Sequence, residues 1–183
     1  MKELSLNILD ITHNSIKAKA EQIEISIFER QSANLIEIMI RDDGCGMDEE
    51  FLRGVTDPFV TTRTTRKVGL GIPLFKQSAE DAGGSFSISS KIGEGTEIYA
   101  SFRIDHLDRM PIGDMSSTMV SLIQANDHIR FIYTHKTDVG EFVLNTDDLH
   151  AQLGDVPLSE PMVLNWIEEY INENLEDIQG GKI

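Results

Sequence analysis

An aspartate and an asparagine near the N-terminus have the spacing of a metal-binding pair. Asp10 and Asn14 are four positions apart, so they lie on one face of a helix. A carboxylate and an amide oxygen can together hold a divalent cation and a water, provided that substrate phosphates complete the coordination. Two polar positions on a solvated helix face would have the same spacing. The pair therefore indicates a metal site only in the company of other ligand-binding motifs.

A second candidate is the run Asp42-Asp43-Gly44-Cys45-Gly46, which follows an apolar stretch. Glycines allow the backbone to approach a flat ligand, and an aspartate can accept a hydrogen bond from an exocyclic amine. A tight turn alone uses the same residue types, because aspartate and glycine are common in turns. Both interpretations stay open at this point.

The third candidate is Gly69-Leu70-Gly71, which precedes a predicted helix. Backbone N–H groups at a helix N-terminus form an anion site, and the helix dipole adds a favourable potential. A basic, threonine-rich segment comes just before it and could close over phosphates, although a solvated charged loop would have the same composition. Its candidate residues are Thr61, Thr62, Arg63, Arg66 and Lys67.

Periodicity predicts the elements that position these motifs. Apolar residues at helical spacing predict a helix over 3–20, and alternating isoleucines predict an antiparallel hairpin over 23–40. A short helix capped by Asp48 should follow, then a mobile loop that contains the basic segment. A second main helix is expected from Gly71, and another hairpin over 85–104.

The remaining residues predict an extension without a chemical motif. We expect a helix over 115–125, two strands around a TDVG turn, and a last helix from Ser159. The last helix carries an apolar stripe that should dock on its own domain, although such stripes also form dimer interfaces, so a homodimer stays open. The predicted division is a core over 1–104 and an extension over 105–183 that packs on it.

Composition restricts the classes of function. The 183 residues include 16 lysines and arginines against 31 acidic residues, a net charge of -15 that disfavours nucleic-acid binding. The single cysteine, Cys45, lies between two glycines, which favours a reducing compartment and a residue that is not a nucleophile. No apolar run approaches the ~20 residues of a spanning helix, so we expect a cytoplasmic protein without membrane contact.

Five motifs in a fixed order carry a resemblance to a known family. The segment DITHNSIKA looks like an N box, DDGCGM a first glycine box, DPFVTTR an F box, VGLGI a second glycine box, and GEGTEI a closing turn. Over residues 4 to about 104 the sequence resembles the histidine-kinase-like (GHKL) ATPases. The resemblance implies an α/β (α+β) fold, a two-layer α/β sandwich that holds ATP between helices and a mixed sheet under a flexible lid.

The resemblance also implies roles for the candidate residues. Asn14 would coordinate Mg²⁺, Asp42 would accept the adenine amino group, and Thr96 would support that hydrogen-bond network. Arg63, Arg66 or Lys67 could neutralise the γ-phosphate. The full set of implied ATP contacts is Asn14, Asp42, Gly44, Gly46, Met47, Thr62, Arg63, Arg66, Lys67, Gly69, Leu70, Gly71 and Thr96.

The branch of the family stays open because the motifs conflict. Hydrolysing members have a glutamate at the position of Asp10, which is one methylene shorter, whereas the lid looks more like that of histidine kinases. Only nine residues precede Asp10, so an upstream phosphoacceptor helix is not expected, and His13 is interpreted as a structural or surface residue.

Three hypotheses about function follow. The chain is an Mg²⁺-dependent ATPase or a kinase that transfers to a separate partner protein, with Asp10 as the catalytic residue. Alternatively, it is a regulatory switch that binds ATP without appreciable turnover. A structural domain that has lost nucleotide binding is disfavoured by the intact motif set.

Overall fold

The computed structural model describes residues 3–59 and 69–180. The helices in these parts of the chain are α1 (Leu4–Lys17), α2 (Glu49–Gly54), α3 (Gly71–Asp81), α4 (Met115–Ala125), α5 (Thr146–Leu153) and α6 (Pro161–Ile178). The strands are β1 (Gln22–Arg30), β2 (Leu35–Asp42), β3 (Phe86–Lys91), β4 (Gly95–Arg103), β5 (Arg130–Lys136) and β6 (Glu141–Asn145). A single turn of 3₁₀-helix, Gln31–Ala33, joins β1 to β2.

The strands form one mixed six-stranded sheet in the order β3-β4-β2-β1-β5-β6. The predicted hairpins are both present: β1 pairs antiparallel with β2, and β3 pairs antiparallel with β4. Strand β5 runs parallel to β1, with Ile25 opposite Tyr133, and β6 returns antiparallel to β5. The strands that follow residue 105 therefore extend the same sheet at the β1 side.

The alternating isoleucines of β1 and β2 point to one face of the sheet. Ile25, Ile38 and Ile98 are buried there together with apolar residues of α1, α3, α4 and α6, so the helices form a single layer over this face. The opposite face carries polar residues such as Glu24 and Glu37, which stay partly accessible. The predicted two-layer α/β sandwich is confirmed, because the helices cover one face of the mixed sheet and the other face stays partly accessible to solvent.

Local signals explain where most elements begin and end. Asp48 caps α2 as predicted, since its carboxylate accepts a hydrogen bond from the Phe51 N–H at 2.7 Å. Helix α1 ends at Lys17 rather than near 20, because Lys19 has a left-handed backbone with φ 61°. Helix α6 begins at Pro161, close to the predicted start at Ser159, with the proline in its first turn.

Helix α5 was not predicted from the sequence. It has only eight residues, and its apolar positions, such as Leu149, are too few to give a helical period. A local hydrogen bond determines where α5 begins. Asn145, the last residue of β6, also caps α5, because its side chain accepts the Asp147 N–H at 3.0 Å. None of the helices in the described residues is long and apolar enough to cross a membrane.

The cap of α4 gives a prediction about stability. Asp114 accepts the Ser117 backbone N–H at 2.9 Å, and this bond holds the pKa of its carboxyl below the usual value despite partial burial. Asp114→Ala should therefore lower the free energy of unfolding by about 1 kcal/mol at pH 7 in urea denaturation.

The pH dependence of this effect has a definite sign. Because the folded-state pKa of Asp114 is depressed, its contribution is complete above the unfolded pKa of about 3.9 and is lost as the pH falls through the folded value. The stabilities of wild type and Asp114→Ala should thus begin to converge as the pH falls below about 4, and should coincide once the pH is below the folded pKa. Asp108→Ala, in the exposed loop before α4, serves as the control, and an equal loss in that variant would contradict the cap.

Candidate nucleotide-binding site

A cavity of about 370 Å³ lies between α1, the start of α3 and strands β2 and β4. Its size is within the range of pockets that bind small ligands. Its walls combine apolar side chains with a few polar groups. The lining residues are Ile11, Asn14, Ser15, Lys17, Ala18, Ile40, Asp42, Cys45, Gly46, Met47, Phe51, Ile72, Thr96 and Ile98.

Asp42 is the buried carboxylate of this cavity, with 9% of its surface exposed. It is the last residue of β2, and two hydrogen bonds fix its orientation. Ser15 on α1 donates its hydroxyl to Oδ2 at 2.6 Å, and the Gly44 N–H donates to Oδ1 at 2.9 Å. Each carboxylate oxygen can accept a further bond, so Asp42 presents an oriented acceptor to a ligand in the cavity.

The loop after Asp42 is held between α1 and the β3–β4 turn. The Cys45 N–H donates to the Ala18 carbonyl at 2.9 Å, and the Cys45 carbonyl accepts from the Gly93 N–H at 2.8 Å. Gly46 has φ 69°, and a Cβ at this position would lie 2.0 Å from the Lys91 carbonyl oxygen. Only glycine fits a backbone this close, because the left-handed conformation and the contact both exclude a side chain.

Met47 and Thr96 meet through Ser90, a serine on β3. The Met47 N–H donates to Ser90 Oγ at 2.8 Å, and Ser90 Oγ lies 2.8 Å from Thr96 Oγ1. Thr96 is also the cross-strand neighbour of Asp42 and lines the cavity. Thr96 is thus connected to Asp42 by strand pairing and to the loop by the hydrogen bonds of Ser90.

The α1 side of the cavity carries Asn14 and Lys17. The Asn14 side-chain Nδ2 position is buried and has no hydrogen-bond partner among the described residues. An amide nitrogen and oxygen can exchange places by a flip, so the oxygen can equally face the cavity. A buried unpaired amide fits a residue that meets a ligand or a hydrated cation, and one carboxamide oxygen suits Mg²⁺, which keeps several waters.

Asp10 lies one helical turn before Asn14, next to the first residue of α3. A Cβ built on Gly71 would be 3.2 Å from the Asp10 Cβ, so α1 and α3 are in close contact at this point. Leu70 precedes α3 without a side-chain cap, and no acidic residue is in its first turn. The N-terminus of α3 therefore retains the favourable potential for an anion beside the Asp10 carboxylate.

The structure brings most of the predicted residues together. Asn14, Asp42, Gly46, Met47 and Thr96 all line the cavity, whereas Gly44 shapes it through its bond to Asp42. Gly69 and Leu70 directly precede α3, and Gly71 is its first residue. Gly71 lies close to Asp10 on α1. The lid residues Thr62, Arg63, Arg66 and Lys67 lie outside the described residues.

Three polar residues in or beside the cavity were not identified from the sequence as candidate site residues. Ser15 follows Asn14 directly but binds Asp42, which is 27 positions away. Lys17 lies three positions after Asn14, on the same helix face, and this spacing could have identified it. Ser90 carries no sequence signal of its own, because its contacts with Met47 and Thr96 depend on how β3 meets the loop.

Comparison with known proteins identifies the family. Residues 2–106 match the family model described as "Histidine kinase-, DNA gyrase B-, and HSP90-like ATPase". The chain is 32% identical over 107 residues to the sensor histidine kinase YkoH of Bacillus subtilis, covering 56% of this chain and 22% of that protein. It is 29% identical over 108 residues to the autoinducer 2 sensor kinase/phosphatase LuxQ of Vibrio vulnificus, covering 54% and 13%. The chain thus spans about a fifth or less of the length of these relatives.

The similarity in fold to one solved structure extends over more of this chain than the match to the family model does. The N-terminal domain of a DNA repair protein superposes with a TM-score of 0.52 at 17% identity, covering 79% of this chain and 53% of that chain. This coverage exceeds residues 2–106, so part of the later chain belongs to the shared fold. Because the family model matches residues 2–106, more than half of the chain, the chain belongs to the histidine kinase-, DNA gyrase B- and HSP90-like ATPase family and contains its ATP-binding domain.

Proposed function

We propose that the cavity binds Mg²⁺–ATP and that Asp10 acts as the general base for transfer of the γ-phosphoryl group. The acceptor is water or a hydroxyl group of a separate protein. The observation that supports the proposal is the close approach of Asp10 to Gly71, where an added Cβ would lie 3.2 Å from the Asp10 Cβ, so that Asp10 is next to the first residue of α3. A base and an anion site are thereby brought together at one point.

The adenine end of the site is proposed at Asp42. Its carboxylate is fixed by Ser15 and Gly44 and can accept the hydrogen bond of an exocyclic amino group. Ile40, Ile72 and Ile98 supply apolar walls, which suit the faces of a flat aromatic base.

The phosphate end is proposed at the start of α3. In the described part of the chain, Leu70 supplies no side-chain cap for the backbone N–H groups of Gly71 and Ile72, and Gly71 allows the close approach of Asp10. Lys17 lines the cavity from α1 and adds a positive charge. From their sequence positions, Arg63, Arg66 or Lys67 would add charge from the lid.

Asn14 is proposed as the residue that holds Mg²⁺. When bound, the cation neutralises phosphate charge and stabilises the charge that develops on the transferred group. The chain's own contribution is the amide oxygen of Asn14, on the same helix face as Asp10 and one turn further along α1. The two side chains thus flank the point where phosphates would meet α3.

In the transfer step, the Asp10 carboxylate accepts the proton of the attacking water or hydroxyl while the new P–O bond forms and the bond to ADP breaks. The proton stays on Asp10 until it exchanges with solvent. General-base catalysis needs hydrogen-bond reach between the carboxylate and the nucleophile. Because aspartate is one methylene shorter than glutamate, its reach to the nucleophile depends on the close approach of α1 to α3.

A protein acceptor is supported by two exposed leucines at the phosphate end. Leu70 and Leu74 are one turn apart at the start of α3, and both are about half exposed. An apolar surface beside a phosphate site is suited to docking of a partner's reactive side chain. The relatives are sensor kinases by name, and transfer to protein is proposed for this chain by that similarity.

Asn14→Ala tests the Mg²⁺ assignment. We expect ATP affinity in the presence of Mg²⁺ to fall about 10-fold, because the cation loses its protein ligand. Isothermal titration with ATP, with and without Mg²⁺, measures the effect, and the variant should lose most of the stimulation by Mg²⁺.

Asn7→Ala is the matched control for this variant. It makes the same substitution on α1, two turns earlier and outside the cavity lining. Equal Mg²⁺ stimulation in wild type and Asn14→Ala would contradict the assignment.

A further inference from the structure

The hydroxyl oxygen of Ser90 is the meeting point of three hydrogen bonds beside the Asp42 end of the cavity. It accepts the Met47 N–H at 2.8 Å, donates to the Gly95 carbonyl at 2.9 Å and lies 2.8 Å from Thr96 Oγ1. These bonds join the loop after β2 to both strands of the β3–β4 hairpin. The direction of the third bond, between the two hydroxyl groups, follows from the other two.

The single proton of the Ser90 hydroxyl determines what Thr96 can offer to a ligand. A serine oxygen can donate one hydrogen bond and accept two. The Met47 N–H can only donate and the Gly95 carbonyl can only accept, so the Ser90 proton goes to Gly95. All three contacts are satisfied together only when the Thr96 hydroxyl donates its own proton to Ser90. Thr96 Oγ1 then keeps only lone pairs towards the cavity and can meet a ligand only as an acceptor.

Thr96 lines the cavity next to a second acceptor, the carboxylate of Asp42. The two residues are cross-strand neighbours on β4 and β2, and both line the cavity. The donors that reach Asp42 come from the protein itself, namely the Ser15 hydroxyl and the Gly44 N–H. Among the described residues no hydrogen bond joins Thr96 to Asp42, so each keeps acceptor capacity for a ligand.

We propose that Ser90 is a positioning residue that makes the nucleotide site selective for a 6-amino purine over a 6-oxo purine. Ser90 acts through Thr96: because it takes the Thr96 proton, two acceptors remain next to each other, Thr96 and Asp42. An exocyclic amino group has two N–H donors and can satisfy both acceptors, directly or through a water, whereas an oxo group has no donor. The inference rests on the proposed binding of ATP and adds the residue that orients the Thr96 hydroxyl.

Ser90→Ala tests this role through the ratio of two affinities. Without Ser90 Oγ, the Thr96 hydroxyl is free to rotate and to donate to the 6-oxo group of ITP. The preference of wild type for ATP over ITP should therefore fall about 5- to 10-fold in the variant. Titration calorimetry with Mg²⁺–ATP and Mg²⁺–ITP measures both affinities. A serine that only supports the loop would change both by the same factor, because the two nucleotides differ only in the base.

Ser89→Ala is the matched control for this variant. Ser89 is the preceding residue of β3, and its side chain is exposed where that of Ser90 is half-buried, so the ratio should stay at the wild-type value.

Thr96→Val gives an independent variant, since valine has nearly the shape of threonine but no hydroxyl group. Adding Ser90→Ala to Thr96→Val should not change the ratio further, because no hydroxyl remains to reorient.

A measurement without nucleotide separates this inference from the proposed function. In ligand-free wild type the Thr96 hydroxyl proton is bonded to Ser90, so Ser90→Ala should abolish its NMR signal by fast exchange with water, whereas Ser89→Ala should retain it. A wild type that binds neither nucleotide would refute the proposed function itself. If wild type binds ATP, three results would each overturn the role of Ser90 alone: equal loss of both affinities in Ser90→Ala, additive effects in the double variant, or a Thr96 hydroxyl signal that Ser90→Ala leaves unchanged.

Discussion

Asp42→Asn is expected to remove the preference of this protein for adenine over hypoxanthine nucleotides. In the proposed site the wild-type carboxylate would accept a hydrogen bond from the adenine amino group, whereas the 6-oxo group of ITP would face it with a second acceptor. Loss of a hydrogen bond to a charged group corresponds to about 1.5–3 kcal/mol, or roughly 10- to 100-fold in ATP affinity. Titration calorimetry with ATP and ITP measures both nucleotides, and the asparagine amide should improve ITP binding.

Asp43→Asn is the matched control for Asp42→Asn. Asp43 is the adjacent residue, and its carboxylate accepts the backbone N–H groups of Glu21 and Gln22 on the far side of the loop. This control removes the same negative charge from the same loop, at a residue that does not line the cavity. Because Asp42 also binds Ser15 and Gly44, thermal unfolding must accompany the titration. Unchanged ATP and ITP affinities in a folded Asp42→Asn variant would refute the adenine assignment.

Asp10→Asn is expected to retain ATP binding and to lose turnover. The asparagine has nearly the same shape but cannot accept the proton of the nucleophile, and general-base catalysis commonly contributes about 10²- to 10⁴-fold. The rate of phosphate release with Mg²⁺–ATP should fall at least 100-fold, whereas the Kd for ATP should change less than about threefold. Phosphotransfer to candidate proteins should fall in parallel.

His13→Ala controls for changes on the same helix. His13 is exposed on α1 between Asp10 and Asn14, and its loss should leave phosphate release unchanged. Asp10→Glu adds the methylene that other members of the family possess, so it tests whether reach limits the rate. If wild type binds ATP but shows neither phosphate release nor phosphotransfer, the regulatory switch is the correct function and Asp10 is not catalytic.

The motifs were readable from the sequence because their chemistry depends on residue type and local spacing. Asp10 and Asn14 share a helix face by the period of the helix alone, and the alternating isoleucines of β1 and β2 determine which face is buried. Gly46 was identifiable as a position that requires glycine, and its left-handed backbone against the Lys91 carbonyl gives the physical reason. Local hydrogen bonding likewise predicted the Asp48 cap.

Contacts between distant segments were not predictable from the same signals. Ser15 and Asp42 are 27 positions apart, and their bond exists only because α1 crosses the end of β2. The contact of Asp10 with Gly71 depends in the same way on the packing of α1 against α3. Side-chain type makes such a pair possible, but only tertiary packing brings the two groups within reach.

The sequence by itself thus determined the family and the order of the motifs, and it supplied the candidate residues for the proposed nucleotide site. Tertiary structure decided where the later chain goes: β5 joins β1 in parallel, and α6 packs on β6 with Trp166 left half exposed. A parallel pairing over more than a hundred residues has no local signature, because any strand of suitable pattern can occupy that edge. That β6 is the last strand of the sheet in the described residues is likewise visible only once the strand order is known.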